Sequence, residues 1–156
     1  MRLQEATEAA CGVRIAGLAG LYCYFLGLAH PWMQRGGIAG WLIPSEFMDV
    51  NYGEAVKRYL LDKVTLLRIH RFNPKNTQFD DALVSSAVVW FRNDPPAGDH
   101  LVEFTLGDSL LTPALSRAVA ALALRREPKW TRFPVSEIRQ ETIRYQLSDF
   151  FTIKRG

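Results

Sequence analysis

Apolar and polar residues alternate along the chain in blocks that predict a series of helices and strands. Residues 2–10 are good helix formers, and Gly12 is a residue type that commonly follows the end of a helix. A second helix is predicted from about Leu18 to Gln34. Six apolar residues of this segment follow helical spacing: Leu21, Tyr22, Phe25, Leu28, Ala29 and Trp32. Such a one-sided stripe predicts a helix packed on a sheet.

The next block predicts a strand, a helix and a second strand. Ile38 to Ile43 is a nearly continuous apolar run, which is typical of a strand covered on both faces in a parallel sheet. A helix with one apolar face is then predicted to end near Asp62. A second strand follows from Val64 to Ile69, so the three elements have the order of a βαβ unit.

A long polar connection follows the second strand and contains one aromatic residue, Phe79. Connections of this length in a compact domain are unusual unless they are mobile or functional, so this loop is the first candidate for a site. Ala82 to Phe91 is rich in valine and aromatic residues. It predicts a third strand, paired antiparallel with the second.

The pattern weakens after a turn at residues 94–98. Leu101 to Thr105 is predicted as a short strand. Pro113 is suited to the first position of a helix, in which Leu115, Val119 and Leu122 would share a face. The final residues, DFFTIKRG, predict a further strand. The chain as a whole is therefore predicted to be α/β, with a small α+β extension in residues 94–156.

The composition is that of one folded unit, since 48% of the 156 residues are hydrophobic and 22% are charged. The formal charge of +3 is spread along the chain, which permits a nucleic-acid partner without requiring one. A local basic cluster surrounds Trp130; it consists of Arg125, Arg126, Lys129 and Arg132. This cluster is either a solvated helix end or a phosphate-contacting patch.

Cysteine and histidine spacing gives no sign of a metal site. Cys11 and Cys23 do not form a C-x-x-C pair, and the three histidines are isolated along the sequence. A reducing, cytoplasmic setting and no bound metal are therefore expected.

A membrane protein is a competing interpretation, because residues 15–34 carry no charge and are long enough to span a bilayer once. Glycine and proline dilute the apolar content of this segment, and Glu5 and Glu8 do not suit a signal peptide. Its apolar residues are also one-sided. These features favour a soluble helix over a membrane span.

The order of the elements resembles the second half of the catalytic domain of N6-adenine DNA methyltransferases from restriction-modification systems. The matching residues lie between about residues 12 and 93. They are Gly20-Leu21-Tyr22 with Phe25-Leu26, Gly36-Gly37, Trp41 to Phe47 (WLIPSEF), Phe79, and Ser86 to Phe91 (SAVVWF). The resemblance implies that residues 1–93 hold the C-terminal half of a Rossmann-like methyltransferase sheet: a strand, a helix, a strand and an antiparallel strand. Residues 94–156 would lead towards a target-recognition domain.

The resemblance also implies roles for individual residues. Leu21 and Phe25 would line the pocket for the adenine ring of S-adenosylmethionine, although their helical spacing equally fits core residues. Phe79 would stack on a target adenine flipped out of double-stranded DNA, because the reacting amino group is shielded inside the base stack. Arg71 and Lys75 would contact phosphates near that nucleotide, or else are solvated loop charges.

Two motifs of the resembled family are absent from these 156 residues: the catalytic Asn-Pro-Pro-Tyr and the glycine-rich loop that holds the cofactor. Residues 73–74 and 94–96 are similar to the first motif in part, but neither is followed by an aromatic ring that could stack on a base. We therefore expect an internal part of a larger methyltransferase that is inactive by itself. Its partners would be the N-terminal half of the methyltransferase domain, a target-recognition domain and DNA. The alternative is a non-catalytic remnant or interaction module.

Overall fold

The computed structural model of the protein describes residues 2–74, 78 and 85–135. The α-helices are α1 (Leu3–Cys11), α2 (Leu21–Leu28), α3 (Glu54–Asp62) and α4 (Ala121–Arg126). The strands are β1 (Ile38–Pro44), β2 (Thr65–Arg71), β3 (Ser86–Arg92), β4 (Leu101–Leu106) and β5 (Leu115–Ala120). Short 3₁₀ turns cover His30–Trp32, Ser45–Met48, Asn51–Gly53 and Trp130–Arg132. The strand predicted for the last eight residues lies outside the described residues.

The strands form one mixed sheet in the order β1-β3-β2-β4-β5. β3 pairs antiparallel with β1 on one side and with β2 on the other, which confirms the predicted pairing of the second and third strands. β1 and β2 therefore run parallel, as in a βαβ unit, but with β3 between them. β4 is parallel to β2, and β5 is antiparallel to β4. Residues on both sides of position 93 thus contribute to the same sheet.

β1 lies at the sheet edge in the part of the chain that the structure describes, which corrects the prediction of a covered strand in a parallel sheet. Its partner β3 is antiparallel. Ile38 and Leu42 are exposed on one face, whereas Ile43 is buried on the other. A continuous apolar run is compatible with burial on both faces, but it does not reveal what covers each face. The edge of β1 and one of its faces are therefore open among the described residues.

Residues 115–120 form a strand, β5, and the predicted helix starting at Pro113 is wrong. Val119 is buried opposite Val102 of β4, whereas Leu115 and Leu122 are exposed. Helix propensities differ by less than about 1 kcal/mol per ordinary residue, so the ladder of hydrogen bonds to β4 overrides them. The chain becomes helical only from Ala121.

The second helix is also shorter than predicted. α2 is α-helical only over Leu21–Leu28, and the His30–Trp32 turn that follows contains Pro31. Proline lacks a backbone N–H and its ring is excluded from a helix interior, which explains the change of conformation. The first helix agrees with its prediction, since α1 ends at Cys11 and Gly12 adopts the left-handed conformation with φ 70°.

The main core lies between one face of the sheet and helices α1, α2 and α3. Tyr59 of α3 packs edge-on against Phe91 of β3, with ring centroids 5.8 Å apart, and its hydroxyl is 3.0 Å from Nδ1 of His30. Further along the sheet, Phe104 of β4 packs against the fully buried Trp130 at 6.2 Å between centroids. The segment that follows α4 therefore returns across the sheet and closes this part of the core.

Replacing Gly27 by valine should destabilise the fold. A Cβ atom at this position would lie 2.6 Å from Cγ2 of Thr7 and 3.0 Å from Sγ of Cys11, where α2 meets α1. Overpacking of this kind costs about 1–3 kcal/mol in the free energy of unfolding. Gly17→Ala is the matched control, because its Cβ would come no closer than 3.4 Å to Nε2 of Gln4. Urea denaturation measures both variants, and equal midpoints would contradict close packing at Gly27.

Candidate functional site

Helix α2 exposes the apolar residues that were predicted to line a cofactor pocket. Leu21 is 64% exposed and Phe25 is 58% exposed, and Trp32 beyond the helix is 87% exposed. The residues of α2 that are buried are instead Cys23, Tyr24, Leu26 and Gly27. The apolar face of this helix was predicted to pack on the sheet. This prediction is wrong, because much of that face is exposed to solvent. The interpretation of Leu21 and Phe25 as ordinary core residues is not supported.

The orientation of α2 is decided by its contact with α1. Gly27 allows the two helices to approach at Thr7 and Cys11, which a larger residue would prevent. Tyr24 is buried on the same side and its hydroxyl donates to the carbonyl oxygen of Ala16 at 2.9 Å. A polar tip can be buried in this way because it has a hydrogen-bond partner. Close packing and a satisfied hydroxyl, rather than hydrophobicity alone, thus select the buried face.

Polar groups surround the beginning of α2, near the turn that follows β1. Burial raises the pKa of the Tyr22 hydroxyl, and the neighbouring Cys23, Tyr52 and Glu46 act in the same direction. Burial and the hydrogen-bonded Glu46 raise the pKa of Tyr52 to about 12. Burial likewise raises the pKa of the Cys23 thiol to about 11. These groups are therefore neutral near pH 7, where the tyrosine hydroxyls can take part in hydrogen bonding but the thiol is not activated as a nucleophile.

Of the residues predicted to contact DNA, Arg71 is the one that the structure describes; Lys75 and Phe79 lie outside the described residues. Arg71 is the last residue of β2 and is partly buried. Its Nη1 atom donates to the carbonyl oxygens of Thr131 at 2.7 Å and Phe133 at 3.3 Å. Burial lowers the pKa of its guanidinium, with Asp49 acting in the opposite direction. Arg71 therefore ties the end of β2 to the segment that follows α4.

A buried histidine next to Arg71 was not identified from the sequence. His70 is fully buried, with Nδ1 2.9 Å from Oγ1 of Thr105 and Nε2 3.1 Å from the carbonyl oxygen of Gly107. Since a carbonyl can only accept, Nε2 carries the proton and Nδ1 accepts from the threonine hydroxyl. No local pattern in the sequence marks this residue, because both partners come from β4 and the turn after it.

The described residues were also searched for a metal site and for a membrane-spanning helix. Among residues 2–74, 78 and 85–135, no group of three or more histidine, cysteine, aspartate or glutamate side chains is placed to hold a metal ion. In the same part of the chain, the helices fall short of the length and apolar content that a membrane span requires.

The fold is similar to part of a known restriction enzyme. The type IIG restriction endonuclease BpuSI matches with a TM-score of 0.56 and 15% sequence identity, covering 80% of this chain and 17% of that one. No protein-family model matches the chain. At this level of identity the likeness concerns the fold alone.

Two methyltransferases are similar in sequence. The type II methyltransferase M.XamI of Xanthomonas campestris pv. amaranthicola is 31% identical over 93 residues, which is 60% of this chain and 18% of that protein. The type II methyltransferase M.AccI of Acinetobacter calcoaceticus is 33% identical over 81 residues, which is 52% of this chain and 15% of that protein. The chain thus spans less than a fifth of the length of these relatives.

These similarities confirm two predictions from the sequence. The resemblance to methyltransferases of restriction-modification systems is confirmed by M.XamI and M.AccI. The α/β fold class is confirmed by the mixed five-stranded sheet with its helices.

Lowering the pH should destabilise the protein, and His70 should contribute to the loss. Burial lowers the pKa of His70 below its ordinary value of 6.5. As the pH falls through about 6.5, the unfolded chain binds a proton on this ring while the folded protein does not, so protonation favours unfolding. Stability is therefore full above that pH and decreases below it.

The His70→Gln variant should accordingly lose less thermal stability between pH 7.5 and pH 5.5 than the parent protein. Burial also lowers the pKa of His30, so a residual pH dependence is expected in the variant. Thermal unfolding followed by circular dichroism at several pH values measures the difference. An unchanged pH dependence would show that His70 does not cause it.

Proposed function

We propose that this chain forms part of an S-adenosylmethionine-dependent DNA methyltransferase that modifies N6 of an adenine flipped out of double-stranded DNA. Its similarity to two type II methyltransferases supports the reaction class. The observation that carries the proposal is the exposure of Leu21 and Phe25 on α2. The resemblance assigns the adenine ring of the cofactor to these two residues, and they are free to contact it.

The side chains around α2 suit one end of the cofactor. The faces of an adenine ring are flat and apolar, and the Phe25 ring and the Leu21 side chain offer apolar surface of matching character. Tyr22 at the start of the helix and Tyr52 in the Asn51–Gly53 turn have neutral hydroxyls, which can hydrogen-bond to polar atoms at the edge of a ring. When bound, the cofactor supplies the methyl group that is transferred.

The DNA would approach the end of β2 and the loop that follows it. Phe79 in that loop would stack on the flipped adenine, and Lys75 and Arg71 would bind phosphates next to it. The bonds from Nη1 of Arg71 to the backbone after α4 hold the start of this loop in place. We propose that its other guanidinium nitrogens face the DNA, so that Arg71 both positions the loop and contributes charge.

The proposal includes partners that supply the catalytic Asn-Pro-Pro-Tyr and the glycine-rich loop, because neither is present in these 156 residues. Among the described residues the edge of β1 is open, so such a polypeptide could continue the sheet there, and the exposed Ile38 and Leu42 add apolar surface on one face of the strand. The chain alone would not methylate DNA.

The proposed activity is tested by combining the chain with a polypeptide that carries both motifs and assaying duplex DNA for N6-methyladenine. A folded combination that binds duplex DNA but forms none would favour a non-catalytic interaction module.

Replacing Phe25 by alanine should weaken cofactor binding by about tenfold, equivalent to ~1.4 kcal/mol, because apolar contact with the adenine ring is lost. Isothermal titration of the combined protein with S-adenosylmethionine measures the change, and affinity for DNA should stay the same. Leu122→Ala is the matched control, since Leu122 is a similarly exposed apolar residue on α4. Equal cofactor affinities for the two variants would exclude Phe25 from the pocket.

Replacing Phe79 by alanine should lower turnover by roughly tenfold or more, because stacking of a base on an aromatic ring contributes about 1–3 kcal/mol. The cofactor affinity should not change, so this variant and Phe25→Ala have opposite signatures. Fluorescence of 2-aminopurine at the target position reports how well the flipped base is held. Unaltered turnover and fluorescence in a folded variant would contradict a stacking role.

A further inference from the structure

A basic cleft on the outer side of the molecule is not used by the proposed cofactor site or the Phe79 loop. It has a volume of about 370 Å³ and lies between α3 and the segment from Leu124 to Trp130. Four basic side chains line it: Lys57, Arg58, Arg125 and Arg126. Two acidic residues, Glu54 and Glu127, also line it. Two members of the basic cluster found in the sequence, Arg125 and Arg126, therefore meet two further cations contributed by α3.

Ion pairing within the molecule leaves the cleft with an excess of positive charge. Arg125 is paired with Asp62, and Glu127 is paired with Arg132, which does not line the cleft. Among the lining residues this leaves Lys57, Arg58 and Arg126 against Glu54. No ion pair of Arg58 or Arg126 with another described residue is found, and both side chains are exposed. The cleft thus presents two guanidinium groups to solvent.

Lys57 gives the cleft a charged group that is fixed in place. The residue is only 4% exposed, and its Nζ donates to the carbonyl oxygen of Pro128. The ammonium also lies 5.7 Å from the centroid of the Trp130 ring. An ammonium has three N–H donors, and the bond to Pro128 uses one of them. A buried charge held in this way interacts more strongly with an anion than a solvated lysine does.

We propose that this cleft binds a phosphate group of a nucleic-acid backbone. Arg58 and Arg126 would provide the bidentate donors that match phosphate oxygens, and Lys57 would provide a fixed point charge beneath them. The contact would carry no sequence information, but it would position the duplex outside the region of the flipped base. The choice of nucleic acid over another polyanion rests on the proposed function.

The first test is direct binding of inorganic phosphate to the whole chain, followed by nuclear magnetic resonance. The indole N–H of Trp130, which donates to the carbonyl of Leu124 at 3.1 Å, is a probe beside the cleft. Its resonance should shift on addition of phosphate in the parent protein and not in Arg126→Gln or Arg58→Gln. Absence of a shift in the parent protein, or the same shift in the variants, would overturn the site. Neither outcome depends on methyltransferase activity.

The second test is the salt dependence of binding to a duplex of about 20 base pairs, measured by fluorescence anisotropy between 50 and 200 mM salt. Losing one phosphate contact should reduce the slope of log affinity against log salt by about 0.9, so Arg126→Gln should bind more weakly and with a shallower slope. Arg35→Gln is the control, because it removes one charge from an exposed arginine paired with Asp94, away from the cleft. Equal slopes for the two variants would refute a phosphate contact at Arg126.

Polyglutamate distinguishes a protein partner from a nucleic acid. If Arg126→Gln weakens binding of polyglutamate but not of the duplex, the cleft recognises carboxylates and the proposal is wrong.

The phosphate and duplex measurements need no S-adenosylmethionine. If cleft variants alter the salt slope while Phe25→Ala leaves cofactor affinity unchanged, the phosphate site stands and the proposed cofactor site fails. Thermal unfolding checks that each exposed arginine variant remains folded.

Discussion

The structure depends on the antiparallel insertion of β3 between β1 and β2. Residues 86–92 pair with β1 on one side and with β2 on the other, and Val89 and Phe91 enter the core beneath the helices. β1 and β2 are thereby held parallel, so both carboxyl ends lie at the same edge of the sheet. The turn after β1 and the loop after β2 begin there. One interior strand therefore places the starts of these two connections at the same edge of the sheet.

The contact between α1 and α2 decides which face of α2 is exposed. Gly27 lets the helices meet at Thr7 and Cys11, and this fixes the rotation of α2 about its axis. Leu21 and Phe25 then face outwards although both are strongly apolar. Clustered apolar groups that remain exposed commonly mark a binding surface.

The segment after α4 contacts three elements of the fold: α3, β2 and β4. Trp130 fills the core next to Phe104, and Lys57 of α3 is held between Trp130 and the carbonyl of Pro128. A few residues later, the carbonyls of Thr131 and Phe133 bind Arg71 at the end of β2. The same segment thus forms one wall of the basic cleft and anchors the strand that leads into the Phe79 loop. One segment of the chain therefore connects the basic cleft to the end of β2.

The sequence by itself determined β1, β2, β3 and α3, since these depend on local periodicity and spacing, and it determined the resemblance to methyltransferases. It could not determine β5, because hydrogen bonds to β4 override weak helix propensities. Nor could it determine that Phe25 is exposed while Tyr24 is buried, since the rotation of α2 is set by α1. Arg71 and His70 likewise acquire their roles from partners distant in sequence. Tertiary packing decides between surfaces that look equally apolar in the sequence.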